Sequence, residues 1–328
     1  MNLQNKKPFF SIITPTYNRE YYLENRVIKS VLNQEYKEWE LVIIDDCSTD
    51  NTQMIIEKYI KKDSRIIYYR LPKNQGANFA RNIGIEISKG EWLIFLDSDD
   101  ELLCGALGLI NSKINEIKHK NIFCLYFNTI DEKNKIISKH PFKEIILEFD
   151  DIYFWHYIVN KFNLQWEHLT CVNSDFIKKK NIKYPEDPYL EYVFHLEVLR
   201  NTPIMILDIP CRKYYTTHRG RLSTKVDISK FNNLKNNMIL AIQILENYKP
   251  VKKNFIKSYK EKILGNCYLH LVHYSLLSGN KKEIVKWLIK SISYGNFSIK
   301  HFLYLLMMIL PYKFITSIYY IIKKIIKK

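Results

Sequence analysis

Four apolar residues, Leu93-Ile94-Phe95-Leu96, run directly into Asp97-Ser98-Asp99-Asp100-Glu101. A short continuous apolar run reads as a strand buried in a sheet, and the acids follow where that strand emerges into solvent. Asp97, Asp99 and Asp100 repel one another, a cost that a divalent cation removes. An Asp-x-Asp pair at a strand end can hold Mg²⁺ or Mn²⁺ through one or two carboxylates and leave coordination positions for the phosphates of a nucleotide. A solvated acidic turn is the ordinary alternative, and the rest of the chain decides between them.

The residues upstream repeat the pattern. Phe9 to Thr14 reads as a strand that ends in Pro15-Thr16-Tyr17-Asn18-Arg19, and a helical spacing of Leu23, Val27, Val31 and Leu32 follows. Trp39 to Ile44 gives a second strand that closes in Asp45-Asp46-Cys47-Ser48-Thr49-Asp50, good helix-capping residues for the next apolar-periodic stretch. Arg65 to Tyr69 is a third, and Asn74 to Gly84 is a loop that opens a helix before the central strand. This β-α-β-α-β order predicts a mostly parallel sheet covered by helices. Ligands of such sheets bind at the carboxyl ends of the strands, where Tyr17, Asp46 and Asp97 to Asp100 all fall. Tyr17 offers a stacking face for a base, and the acceptor-only Asp46 suits a uracil N3–H or a ribose hydroxyl. Arg81 can meet a phosphate with a charge-assisted fork or can pair with a local acid.

Composition limits the partners. The chain has 328 residues and a formal charge of +16, and from Lys230 onward there are eighteen lysines, no arginine and three acids. Lysine on an Ile/Leu/Tyr background suits anionic lipid headgroups better than base reading, so a membrane surface outranks nucleic acid. Six dispersed cysteines, at 47, 104, 124, 171, 211 and 267, contain no C-x-x-C pair and suggest neither a zinc cluster nor a disulfide framework. Phe9 to Ile13 is too short for a signal-peptide core, and Phe302 to Leu310, broken by Pro311, falls short of a bilayer span. A peripheral protein in a reducing cytosol is expected.

Four segments, SIITPTYNR, LVIIDDCSTDNT, NQGANFARNIG and LIFLDSDD, resemble in order and spacing the family 2 glycosyltransferases of GT-A fold, over about Phe10 to Ser223. The resemblance implies a Rossmann-like mixed sheet and an inverting transferase that uses a nucleotide sugar with Mn²⁺ or Mg²⁺. It implies Pro15, Tyr17 and Asp46 at the nucleoside, Arg81 near the diphosphate, Ser98 in the nucleotide-sugar-binding set, and Asp97 and Asp99 on the metal. Cys47 departs from the glycine usual after the acidic pair, a matter of turn geometry.

Inverting transfer needs a carboxylate to deprotonate the acceptor hydroxyl. Glu191, opening an amphipathic helix with Tyr192, Val193, Leu196 and Leu199, is the first candidate, where the family has a Glu-Asp pair and this chain has Glu191-Tyr192. Asp187, in the literal Glu186-Asp187 dipeptide between two prolines, is the substitute. Further along, Tyr214-Tyr215 and a loop with His218, Arg219 and Arg221 can fold over the diphosphate, and the resemblance makes His218 a candidate metal ligand. Lys133 to Asp151 reads as a polar flap on the acceptor side. Tyr153, Trp155, Tyr157, Trp166 and His168 form an aromatic group that can stack on sugar or simply pack the core. No Gln-x-x-Arg-Trp signature of polymerising relatives is present, which favours single-sugar addition.

The domain expectation is a catalytic domain over 1–226 and a basic helical region over 227–328. Helices are expected at Phe231 to Tyr248, Lys253 to Leu277, Lys281 to Tyr294 and Ile299 to Leu310, and Tyr312 to Lys328 is an amphipath suited to an anionic membrane surface. LIFLDSDDELLCGAL and the late KKEIVKWLIKSISYGNFSIKHFLYLLMMILP resemble the bacterial enzymes that add a branching glucose to a lipid-linked oligosaccharide, and relatives that build lipooligosaccharide or capsule. The resemblance implies UDP-glucose as first donor, a lipid-linked glycan as acceptor, and the cytoplasmic face of the inner membrane. Three rivals are another enzyme, a nucleotidyltransferase, which lacks its Gly-rich loop here; a non-catalytic glycan- or lipid-binding scaffold that keeps the donor pocket; and a basic nucleic-acid binder.

Overall fold

The computed structural model describes residues 8–137, 143–148, 167–185 and 191–215, and in the last third residues 256–277, 279, 282–295 and 304–305 with 235, 239, 242, 243 and 246. The chain divides into two compact units, Met1–His218 and Arg219–Lys328.

The first unit is built on a nine-stranded mixed sheet. β1 (Phe10–Thr16), β2 (Trp39–Asp45) and β4 (Trp92–Phe95) are buried along their whole length, as continuous apolar runs require. With β3 (Ile66–Arg70) they form a parallel half in the order β3-β2-β1-β4. Between these strands run α1, in three abutting pieces (Glu20–Tyr22, a π-helical Leu23–Ile28 and Lys29–Leu32), then α2 (Thr52–Ile60) and α3 (Ala77–Ile87). Register aligns the strand ends: Thr16 lies opposite Asp45, and Ile13 opposite Phe95. The residues after β1, β2 and β4 therefore emerge at one edge.

Beyond β4 the sheet is no longer parallel, so the parallel expectation holds for one half only. β5 (Glu101–Leu102) follows the acidic run, and α4 (Ala106–Ile117) comes after it. β6 (Cys124–Ile130) and β8 (Leu169–Asn173) are antiparallel to each other, and β8 is antiparallel to β4. β9 (Ile204–Lys213) runs parallel to β6 and antiparallel to β5 and to β7 (Glu144–Leu147). The supposed flap thus contributes a sheet strand at 144–147. Among the described residues two more helices follow in this unit, α5 (Ser174–Lys179), capped by the Asn173 side chain, and α6 (Glu191–Asn201).

In the second unit α7 (Ile256–Leu277) packs on α8 (Ile284–Ser293), which buries Ile284, Trp287, Leu288 and Ser291. The Ser291 hydroxyl donates to the Gly265 carbonyl at 2.7 Å, and the Tyr268 hydroxyl to Glu246 at 2.7 Å. Among the described residues no helix is long and apolar enough to cross a membrane. The Tyr312 to Lys328 amphipath, which carried the membrane expectation, lies outside the described residues.

Candidate active site

One face of α3 assembles the centre of the site. Asn78, Arg81 and Asn82 stand three and four residues apart, so their side chains lie side by side. Asn82 exchanges hydrogen bonds with the Tyr184 backbone, both at 2.8 Å, and the Asn78 amide donates to the Pro185 carbonyl at 3.0 Å. The helix can lie close to the sheet because residue 84 is glycine: a Cβ there would stand 2.4 Å from Ile13 Cγ2. An aromatic bed supports the arrangement, with Tyr184 stacked on Phe194 at 4.0 Å and Phe95 set edge-on to both.

Arg81 lies over this bed, 5.2 Å from the Tyr184 ring centre. It donates to Asn78 at 2.9 Å and to Asp97 at 2.7 Å, and a second nitrogen stands 3.7 Å from Glu191. Its side chain is 6% exposed, whereas those of Asp97 and Glu191 are 42% and 48% exposed. A buried cation thus underlies two acids from separate elements, each with an open side for a ligand. Burial acts to raise the Asp97 pKa, but Arg81 and Arg212 outweigh it and hold the carboxyl below its usual range. Glu191 moves the opposite way: the protein packed around it, with repulsion from Asp97, lifts its pKa despite Arg81. Arg81 thus pairs with acids, and it does so in the interior and not on a helix surface.

Asp99 is 17% exposed, with a carboxylate oxygen 3.9 Å from Arg19 Nε. Ser98 is buried beside it. Asp100 differs from both: fully buried, its carboxylate accepts no hydrogen bond among the described residues, stands 3.4 Å from Arg212, and is pushed by burial well above the carboxylate range. Arg212 also donates to Thr129 at 3.2 Å and Glu167 at 3.1 Å. The acidic run therefore divides into one sealed member and two more open ones. Two carboxylates from one turn fit a Mg²⁺ or Mn²⁺ ion that draws its remaining ligands from a diphosphate and water. No group of three or more His, Cys, Asp or Glu suited to a metal occurs among the described residues, and His218 lies outside them.

The nucleoside candidates sit on the neighbouring strand ends. Pro15 is buried in β1 opposite Ile44, and Tyr17, just past the strand, is 43% exposed. The Asp46 carboxylate accepts the Gln75 and Gly76 amides at 2.6 and 2.8 Å, so it fixes the turn into α3 with part of its acceptor capacity. Burial nevertheless raises its pKa, against the effect of those two bonds. Cys47 takes φ 65°, the conformation that favours glycine.

The structure brings Asp97, Arg81 and Glu191 together. Asp187, Tyr153, Trp155, Tyr157 and Trp166 lie outside the described residues, and His168 is buried beside Tyr126. Sequence reasoning missed Arg212, Glu167 and the pair Tyr126–His195, whose hydroxyl and Nδ1 are 2.7 Å apart. Only His195, one helical turn after Glu191, carried a positional signal.

A half-parallel sheet with an acidic strand end, a buried arginine beneath it and a helix-borne glutamate opposite defines the class, a GT-A-type glycosyltransferase. The chain belongs to glycosyl transferase family 2, whose family model matches residues 11–181. It is similar to the GalNAc(5)-diNAcBac-PP-undecaprenol beta-1,3-glucosyltransferase of Campylobacter jejuni, 29% identical over 87% of this chain and 89% of that protein. It is also similar to the UDP-Glc:alpha-D-GlcNAc-diphosphoundecaprenol beta-1,3-glucosyltransferase WfaP of Escherichia coli, 30% identical over 74% of this chain and 89% of that protein. In fold it is similar to Staphylococcus aureus TarS 1-349 in complex with UDP-GlcNAc, with a TM-score of 0.58 and 19% identity over 88% of this chain and 92% of that one.

Proposed function

We propose that the protein is an inverting, metal-assisted transferase that moves one hexose, glucose first, from a UDP-sugar to a lipid-linked glycan at the cytoplasmic face of the inner membrane. The observation that carries this reading is Arg81, which holds Asp97 at 2.7 Å and Glu191 at 3.7 Å. One acid of that trio belongs to the strand end that would receive a diphosphate, and the other opens α6, so the donor end and the base are tied to two nitrogens of a single cation. Glu191 takes the acceptor proton: its raised pKa makes it a stronger base than an ordinary glutamate. Asp97 and Asp99 would hold the ion, which neutralises the departing diphosphate when bound.

Tyr17 and Asp46 take the nucleoside, with Pro15 and Ser98 shaping the strand ends around it. Both relatives named above carry undecaprenol diphosphate acceptors and beta-1,3-glucosyl transfer in their names, and WfaP carries UDP-Glc. These names support the acceptor, the donor and inversion, and the lysine excess after residue 230 supports an anionic surface. The geometry of Glu191 favours catalysis over a scaffold that only keeps the donor.

The test is release of UDP from a panel of UDP-sugars, with and without Mn²⁺ and detergent-solubilised lipid-linked glycan. Wild type should release UDP from one sugar, with metal, and faster with glycan. Asp99→Ala should lose the metal-dependent turnover. Glu191→Gln should lose about 10²–10⁴-fold in kcat while UDP still binds. Near-normal turnover in Asp99→Ala would sink the metal assignment, and near-normal turnover in Glu191→Gln the base.

A further inference from the structure

Three polar residues of α1 and its end, Arg26, Ser30 and Gln34, recur at helical spacing and all engage the backbone around the acidic run. Arg26 Nη1 donates to the Asp99 carbonyl at 2.6 Å. The Leu102 amide donates to the Ser30 hydroxyl at 3.2 Å. Gln34 donates to the Leu103 carbonyl at 2.9 Å and accepts the Leu107 amide at 3.2 Å. Ser30 and Gln34 secure the stretch that leads into α4, but Arg26 reaches Asp99 itself.

Two further observations set Arg26 apart. Its guanidinium lies between two rings, 4.5 Å from the Tyr22 centre and 3.6 Å from that of Tyr215, an arrangement that fixes the plane of the fork. The Tyr215 hydroxyl donates to Glu101 at 2.7 Å, so the same stack fastens the second residue after β9 to the acidic run. Arg26 also falls inside the π-helical piece Leu23–Ile28, and such widened turns are frequent at functional sites.

We propose that Arg26 is a positioning residue for sugar transfer. By donating to the Asp99 carbonyl from a guanidinium set over the Tyr22 and Tyr215 rings, it sets the turn from which Asp97 and Asp99 present their carboxylates to the metal and diphosphate. Arg26 touches neither the donor nor the reacting atoms, and it acts on the aim of two ligands. The inference rests on the metal-assisted reading above. It predicts a defect confined to metal-dependent donor binding, since the nucleoside side, at Tyr17 and Asp46, is held by other bonds.

The experiment is calorimetric titration of the full chain with UDP, in the presence and absence of Mn²⁺, with the ratio of the two affinities as readout. Wild type should show a ratio well above one. Arg26→Ala should reduce that ratio about tenfold, within the range of losses when a partner of metal ligands is removed, with metal-free UDP affinity unchanged. Arg26→Lys, which keeps a donor but loses the planar stack, guards against misfolding of the alanine variant and should show a smaller loss of the same sign. A folded Arg26→Lys or Arg26→Ala with the wild-type ratio overturns the proposal, as does an equal loss with and without Mn²⁺. A wild-type ratio of one overturns the metal reading itself, before any variant is read, and the proposal with it.

Discussion

His195 is a histidine that the fold keeps uncharged. Burial, with a smaller contribution from Arg81, pushes its pKa down to about 3 from an ordinary 6.5. Its Nδ1 meets the Tyr126 hydroxyl at 2.7 Å, one turn of α6 after Glu191. The sign of the stability effect follows from linkage. Below pH 6.5 the unfolded chain takes up a proton that the native imidazole refuses, so stability is present in full above that pH and is lost as pH falls toward 3. The melting temperature should therefore drop between pH 7 and pH 5. His195→Gln, which can still meet the Tyr126 hydroxyl, should drop less over the same interval. An identical drop in the two proteins would show that other groups carry the acid sensitivity.

At the scale of the element, α3 and β1 are joined by an absence of side chain. Gly84 lets the helix approach until a Cβ would stand 2.4 Å from Ile13 Cγ2, and the same helix carries Asn78, Arg81 and Asn82. Gly84→Ala should cost about 1–3 kcal/mol, the usual range for an overpacked core, in spite of alanine's better helix propensity. Ile13→Ala removes the clashing methyl, so the double variant should be more stable than the sum of the two single losses predicts. Denaturant midpoints of the four proteins decide the matter, and strict additivity would remove the clash as the cause.

The elements legible in the sequence are those whose signal is local. β1, β2 and β4 are continuous apolar runs closed by polar turns, and the acids after them fall at the carboxyl edge because parallel strands share a direction. β3 differs from its expected span by one residue. What the sequence hid depends on pairing between distant segments. β9 meets β5, β6 and β7, and Arg212, at its end, reaches Asp100 and Glu167, far away in sequence. Arg26 was hidden for a similar reason: its partners Asp99 and Tyr215 come from two other regions, and no spacing rule links them. Arg81 was visible as a chemical group, but its burial beneath Asp97 and Glu191 depends on the packing of α3 against β1 and β2 and of Phe194 in α6 against Phe95 and Tyr184.

At the scale of the whole molecule, charge is separated along the chain. Eighteen lysines and three acids lie from Lys230 onward, and the preceding residues are nearly neutral. Lys323, Lys324, Lys327 and Lys328 alternate in pairs with Ile321, Ile322, Ile325 and Ile326, the sequence pattern on which the proposed membrane association rests. Each lysine near an anionic leaflet contributes about 1 kcal/mol, so changing all four to glutamate should lower binding to phosphatidylglycerol vesicles by tenfold or more. Flotation of the full chain with such vesicles measures this directly. Binding should weaken from 50 to 500 mM salt, as surface electrostatics is screened, and should be slight on phosphatidylcholine. UDP release with a detergent-solubilised acceptor should be unchanged in the glutamate variant, because no residue placed at the active site has been altered. Equal binding to both lipids would shift the attraction from the lysines to the apolar face. Failure to bind either would sever the catalytic reading from the membrane one and leave the acceptor to be met away from a bilayer.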